Sequence, residues 1–172
     1  VLVNVGLAHL GGFGSREVTA REKMRLFQAI PSDGWVITPQ DPLVEAQPLP
    51  CPRIHPGATA PRLLSSRPQG GGLLLTLDLG TGQSQIPVRT RSQPLVDDLV
   101  IAMTAASRLG IPAEEMAAVL QDYAFGPTRM ETWRTPEGIT IVNDTASDDP
   151  ISVQAALDTV ASSPEGGRKL FV

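Results

Sequence analysis

The sequence has 172 residues, of which 41% are apolar and 19% charged, and its formal net charge is −4. No apolar run is long enough to span a bilayer, and the small negative charge does not favour nucleic acid, so we expect neither membrane nor nucleic acid as a partner. The single cysteine, Cys51, cannot form an internal disulfide, which fits a reducing compartment and makes the cytoplasm the expected location.

Both ends of the sequence fall in apolar runs that are typical of strands. The chain opens directly on VLVNV and stops on KLFV. A strand at such an end would leave unpaired backbone and apolar surface in water. We therefore expect an internal piece of a longer protein.

The first half of the chain predicts alternating strands and helices. VLVNVG is typical of a short strand buried in a parallel sheet, and a glycine-rich turn leads into a helix from Ser15, the N-cap candidate, to Ile30. GWVITP indicates a second strand, and residues 39–72 are expected to form a winding surface segment because they hold much proline and little periodicity. LLLTLDL and SQIPVRT, joined by GTGQ, predict a hairpin.

Two helices and a break follow. The first helix is predicted from Leu95 to Leu109, where Gly110 ends it, and the second from Pro112 to about Tyr123. AFGPT interrupts the pattern with glycine and proline, and we predict a domain boundary there, which divides the chain into residues 1–125 and 126–172.

The last part of the chain predicts the beginning of a βαβ unit. METWRT and ITIVNDT indicate a second hairpin, a helix follows from Pro150 to Ser162, and KLFV is expected to be a strand. The helix residues expected to face inward are Ile151, Ala155, Leu157 and Val160.

Lys23 lies four residues before Phe27 and seven before Ile30, so a helix places all three on one stripe, where a core residue is expected. One interpretation is a lysine whose stem packs on the surface while its amine reaches water. The other is a functional amine directed toward the strand ends. In that case the shared stripe predicts that Lys23 is substantially buried.

Two further stretches contain candidate functional residues. His9 follows the end of the first predicted strand, where open α/β sheets place ligand groups, although a histidine that only caps a loop is the alternative. In IVNDTASDD, Asn143 and Asp144 end a strand before an acidic turn. Asp148 or Asp149 is expected to cap the next helix.

Taken in order, these stretches resemble the Mur ligase family, the ATP-dependent amide-forming enzymes that build the peptide of bacterial cell-wall precursors. The motifs are LVNVGLAHLGGFGS followed by a lysine and LF, then GPTRMETW, then GITIVNDTASDDPISVQAAL. FGS after HL points to the branch that adds D-alanyl-D-alanine to a UDP-MurNAc-peptide. The implied α/β fold is the C-terminal part of a central ATPase-type domain, residues 1–125, followed by the start of a Rossmann-like C-terminal domain, residues 126–172.

The resemblance also implies roles for individual residues. Lys23 would be a catalytic residue that carries a carbamate made with CO₂ and, with His9, helps to hold Mg²⁺. Asp144 would hydrogen-bond the ribose of ATP, and Arg129 would reach the nucleotide from the domain linker. The implied reaction forms an acyl phosphate from a substrate carboxylate and ATP, and the incoming amine then displaces phosphate.

The sequence departs from the family pattern at the adenine contact. The family's Asn-x-x-Asn pair, counted back from Gly110 without gaps, falls on Leu95 and Asp98, and the second Asn is the one that binds adenine. An ionised Asp accepts hydrogen bonds and cannot donate them, so we expect adenine binding at Asp98 to be lost or reshaped. Ala146 stands where the family has Tyr or Lys.

Three functions are therefore compared. The first is a fragment of an active ATP-dependent ligase, and the second is a Mur-like protein without ligase activity that acts as a structural or fused partner, which the departures favour. The third, an unrelated α/β binding module, does not predict an inward lysine paired with a strand-end histidine. Because no GxxxxGK[ST] phosphate-binding loop occurs in these residues, the piece alone is expected to be inactive.

Overall fold

The computed structural model describes residues 1–8, 10–146, 149–163 and 166–172. Its helices are α1 Leu10–Phe13, α2 Arg16–Arg25, α3 Pro42–Glu45, α4 Gln93–Arg108, α5 Ala113–Asp122 and α6 Pro150–Ala161, and a 3₁₀ turn spans Leu26–Ala29. Its strands are β1 Val36–Ile37, β2 Arg53–Ile54, β3 Arg62–Gln69, β4 Gly72–Asp78, β5 Gln83–Val88, β6 Glu131–Arg134 and β7 Thr140–Asn143. The mixture of helices and strands confirms the predicted α/β class. In the part of the chain that the structure describes, no helix is long and apolar enough to cross a membrane.

Helix α2 and the 3₁₀ turn after it confirm the helix predicted from Ser15 to Ile30. The Ser15 hydroxyl caps the helix by accepting a hydrogen bond from the Val18 amide at 3.3 Å. The last turn tightens to 3₁₀ geometry, as helix ends commonly do. The buried face of this helical segment packs into the N-terminal core, whose buried residues are Leu2, Val5, Ala20, Met24, Phe27, Val36, Val44 and Cys51.

Strands β1 and β2 pair in parallel next to this core. The prediction of a strand at VLVNV is wrong for this structure, because residues 1–6 are assigned to no strand. Leu2 and Val5 are buried as an apolar run requires, and the Leu2 amide donates to the Ile37 carbonyl at 2.8 Å. The segment is thus packed as the prediction required, without the repeated pairing of a sheet strand.

The prediction of a winding surface segment at residues 39–72 is also wrong, since it contains α3, β2 and all of β3. Strand β3 pairs antiparallel with β4, and β4 with β5, which confirms the hairpin predicted from LLLTLDL and SQIPVRT. Helices α4 and α5, both as predicted to within two residues, complete the central core. The buried residues of that core are Leu75, Leu77, Leu79, Ile86, Val88, Val96, Leu99, Met103, Met116 and Leu120.

Strands β6 and β7 form the second predicted hairpin, and α6 follows it. Asp149 caps α6 by accepting from the Ile151 amide, as expected for one of the two aspartates, whereas Asp148 lies outside the described residues. The inward orientation predicted for α6 is wrong for Ile151 and Leu157, which are 52% and 39% exposed. The strand predicted at KLFV is also wrong, because residues 169–172 are exposed and assigned to neither helix nor strand.

Candidate functional site

Lys23 is exposed, so the prediction that it is substantially buried is wrong. Thr19 and Phe27, one helical turn away on either side, are 2% and 5% exposed, so the stripe itself does face the core. Lys23 lies beside the end of residues 1–6, which we call the first segment, and its amine donates a hydrogen bond to the Asn4 carbonyl at 3.1 Å. The helical period therefore predicts correctly which face of the helix is turned to the core. At Lys23, however, no described residue covers that face.

His9 lies outside the described residues. The prediction that His9 and Lys23 face a common Mg²⁺ site is therefore still a prediction. Among the residues that are described, no three His, Cys, Asp or Glu side chains lie together in a way that could hold a metal ion. The described side chains thus do not fit a complete metal site by themselves.

Arg16 binds the same end of the first segment, and the sequence analysis missed it. Its Nε and Nη2 both donate to the Val5 carbonyl, at 3.1 and 2.9 Å, and Nη2 also donates to Asp41 Oδ2 at 2.8 Å. Asp41 in turn caps α3 through the Leu43 amide. The only sequence feature that could have indicated this contact is the arginine directly after the Ser15 cap. Side chains in a helix point toward its N-terminus, so a long side chain in the first turn reaches back to the preceding segment.

The turn between α5 and β6 brings Arg129 and Asp144 into one neighbourhood. Asp144 Oδ1 accepts a hydrogen bond from the Met130 amide at 3.0 Å, and the Ala146 amide donates to the Thr128 carbonyl at 3.1 Å. Thr128 and Met130, on either side of Arg129, have φ angles of 63° and 52°, in the left-handed region that non-glycine residues rarely adopt. Arg129 is exposed and Asp144 half-buried.

Asp98 lies in the second turn of α4 and interacts electrostatically with this turn. Burial raises the pKa of the Asp98 carboxyl above its ordinary value, the adjacent Asp97 carboxylate raises it further, and the positive charge of Arg129 acts in the opposite direction. Asp97 accepts a hydrogen bond from Gln93 Nε2 at 2.8 Å. Two of the predicted nucleotide residues, Asp98 and Arg129, are thus electrostatic neighbours, and Asp144 holds the residue next to Arg129.

The arrangement at this turn fits a polar, anionic ligand. Arg129 supplies an exposed guanidinium, whose fork of N–H donors suits phosphate or carboxylate oxygens. The second oxygen of Asp144 accepts no hydrogen bond from the described part of the chain, so it is available to a hydroxyl donor. Lys23 belongs to a different place in the fold, at the end of the first segment, together with Arg16.

Comparison with curated proteins finds several relatives that share one name. No family model matches the chain. The UDP-N-acetylmuramoyl-tripeptide--D-alanyl-D-alanine ligase of Mycobacterium leprae is 33% identical over 188 residues, which cover 97% of this chain and 36% of that protein. The ligase of the same name from Mycobacterium tuberculosis is 30% identical over 190 residues, which cover 98% of this chain and 35% of that protein. The chain therefore spans about a third of the length of the curated relatives that it matches.

Solved structures share the fold. MurF from Acinetobacter baumannii matches with a TM-score of 0.80 at 20% identity, covering 94% of this chain and 36% of that one. The MurF ligase from Thermotoga maritima in complex with ADP also matches with a TM-score of 0.80 at 20% identity, covering 95% of this chain and 38% of that one. The shared fold and these relatives support one class for the chain, a segment similar to part of a Mur ligase. Within that class, the relatives support a MurF-like fragment.

Proposed function

We propose that the chain is part of a cytoplasmic, ATP-dependent ligase that joins D-alanyl-D-alanine to a UDP-MurNAc-peptide. The observation that supports the proposal is the hydrogen bond by which Asp144 holds the Met130 amide, directly beside Arg129, whose positive charge also acts on the Asp98 carboxyl. Sequence similarity had assigned Asp98, Arg129 and Asp144 to the nucleotide, although up to 46 positions separate them along the chain. The named ligases among the relatives support the same activity and do not favour a Mur-like protein without it.

In this proposal the turn contacts ATP from the boundary between two domains, residues 1–125 and 126–172. Asp144 accepts a hydrogen bond from a ribose hydroxyl with its second carboxylate oxygen. Arg129 offers its guanidinium to the phosphates, where a planar fork of donors is most effective. Asp98 would contact adenine from α4. In its ionised form it can accept a hydrogen bond from the 6-amino group of adenine and cannot donate one to N7.

Lys23 and His9 form the second part of the proposal, as the groups that would help to hold Mg²⁺, with Lys23 as its carbamate. The exposed amine of Lys23 is open to CO₂, and the Asn4 carbonyl holds it at the end of the first segment. The metal would neutralise charge on the transferring phosphoryl group. Because the described side chains do not make a complete metal site, further ligands must come from elsewhere in the protein.

Direct measurement of ATP binding tests the assignment of Asp144. In the full-length protein that carries this chain, Asp144→Ala should weaken ATP binding by about 1.5–3 kcal/mol, the usual range for hydrogen bonds to a charged group. Titration calorimetry measures the Kd. Asp144→Asn is the matched control, because its amide oxygen can still accept from the Met130 amide and hold the turn. An unchanged Kd for Asp144→Ala would remove Asp144 from the nucleotide site.

A further inference from the structure

Two cationic side chains of α2 bind adjacent carbonyls at the end of the first segment. The Lys23 amine donates to the Asn4 carbonyl at 3.1 Å, and the Arg16 guanidinium donates twice to the Val5 carbonyl, at 2.9 and 3.1 Å. The two acceptors belong to consecutive residues, so a movement of the Val5 peptide must also move the acceptor of Lys23. Arg16 and Lys23 are seven residues apart, which puts them two turns apart on the same face of the helix.

The Arg16 contact is fixed at its other end as well. Asp41 Oδ2 accepts from Arg16 Nη2 at 2.8 Å, while Asp41 Oδ1 accepts from the Leu43 amide at the start of α3. The Val5 side chain, 3% exposed, packs in the N-terminal core below. The Val5 peptide is therefore held from both sides, by packing of its side chain and by the guanidinium on its carbonyl.

We propose that Arg16 is a positioning residue: by holding the Val5 carbonyl it fixes the end of the first segment, and through that segment it fixes the amine of Lys23. The ion pair with Asp41 is partly buried, since the Arg16 side chain is 40% exposed and that of Asp41 is 19% exposed. The effect that concerns us is on the geometry of the first segment, and the control variant separates it from an effect on stability. The inference goes beyond the proposed function, and it rests on that function only where ligase activity is the readout.

The chain contains a matched control for this contact. Arg53 also donates to a backbone carbonyl, that of Gln47 at 2.9 Å, and also pairs with a carboxylate, Glu45, at 2.9 Å. Its side chain is 15% exposed, so its loss should cost at least as much stability as the loss of Arg16. Among the described residues, Arg53 makes no hydrogen bond or ion pair with the first segment, so it separates a general loss of stability from a specific effect on Lys23.

The test is the rate at which an amine-acetylating reagent modifies Lys23 in the full-length protein, measured by peptide mass spectrometry. Lys169, the other lysine of the chain, is exposed and serves as the internal reference. Arg16→Ala should raise the Lys23 rate relative to Lys169 by up to about fivefold, the factor that corresponds to one ordinary hydrogen bond. Arg16→Lys should give a smaller rise, because a single ammonium cannot reproduce the forked contact. Arg53→Ala should leave the ratio unchanged.

The proposal is overturned if Arg16→Ala leaves the ratio unchanged, or if Arg53→Ala raises it equally. If Arg16→Ala does not fold, Asp41→Asn replaces it, since Asn can still cap α3 while it weakens the hold on Arg16; an unchanged ratio in that variant overturns the proposal in the same way. Ligase assays then provide a separate readout, in which Arg16→Ala should lower kcat and leave the Kd of ATP unaltered. Absence of ligase activity in the unmodified protein would contradict the proposed function and would leave the labelling result intact.

Discussion

The central region, residues 62–122, and the C-terminal region, residues 131–161, are built from similar elements and are packed very differently. Both contain an antiparallel hairpin followed by helix. In the central region Leu75, Leu77 and Ile86 are at most 1% exposed. In the C-terminal region Trp133 and Ile141 are 44% and 37% exposed, and every residue of α6 is exposed or half-buried.

The difference shows that backbone pairing and burial are separate sources of order in this chain. Hairpin hydrogen bonds are present in both regions, so they do not account for the contrast, whereas buried apolar area does. The proposed nucleotide residues come from both regions, with Asp98 on a helix of the packed region and Asp144 directly after β7. A ligand that contacts both Asp98 and Asp144 would therefore contact one well-packed region and one weakly packed region.

The largest expected effect comes from truncating a central side chain. Leu77→Ala removes a completely buried side chain and should lower the free energy of unfolding by about 3 kcal/mol, through lost burial and the cavity that remains. Ile141→Ala, the matched change in the other hairpin, should cost about 1 kcal/mol or less because that side chain is already exposed to water. Urea unfolding measures both values, and equal losses would show that the two regions are equally well packed.

Hydrogen exchange should show the same contrast without any substitution. Amides of hydrogen-bonded pairs in β4 and β5, such as Leu75 and Ile86, should exchange at least about 100-fold more slowly than those of Trp133 and Ile141, the corresponding hydrogen-bonded pair of the second hairpin. Mass spectrometry or NMR of the protein resolves these peptides. Similar protection in both hairpins would mean that the C-terminal hairpin opens only with the whole structure.

The smallest effect is expected at Asp98, where the two regions approach each other. The raised pKa means that the folded protein disfavours the ionised carboxylate, so this penalty is present above the folded pKa and disappears as the pH falls below the unfolded value. Asp98→Asn should therefore stabilise the protein at pH 7 by about 0.5 kcal/mol, since the group is partly screened by solvent. The gain should shrink toward pH 4.

Thermal unfolding at the two pH values measures this gain. Asp158→Asn, on the exposed part of α6, is the control for replacing a helical aspartate by its amide. A gain at Asp98 that stayed constant with pH would argue against a cost of ionisation as its cause.

The sequence predicted the elements whose apolar residues repeat at a helical or strand period. Helices α2, α4, α5 and α6 and both hairpins were found in this way. Strand β3 was missed because most of its residues are exposed and it includes Pro68, so its sequence shows no alternation, and its pairing with β4 defines it. Periodicity also could not show that Lys23 would be exposed while Thr19 and Phe27 on the same stripe are buried, because that depends on which other segments pack over the helix.

Periodicity and spacing were equally unable to locate the candidate site. Asp98, Arg129 and Asp144 were named from similarity to a family, and their proximity depends on how α4 approaches the turn before β6. The Arg16 contact was missed because it joins α2 to a backbone carbonyl, that of Val5, and backbone groups carry no sequence signature.

The two left-handed residues beside Arg129 have a consequence for how a ligand would bind. Each costs about 1–3 kcal/mol of backbone strain, and the turn persists because Asp144 and Ala146 hold it from the end of β7. The direction in which Arg129 leaves the backbone is thus set before any ligand arrives. A molecule that binds there does not have to order the turn itself, so more of its contact energy remains as affinity, which is the advantage of a preorganised site.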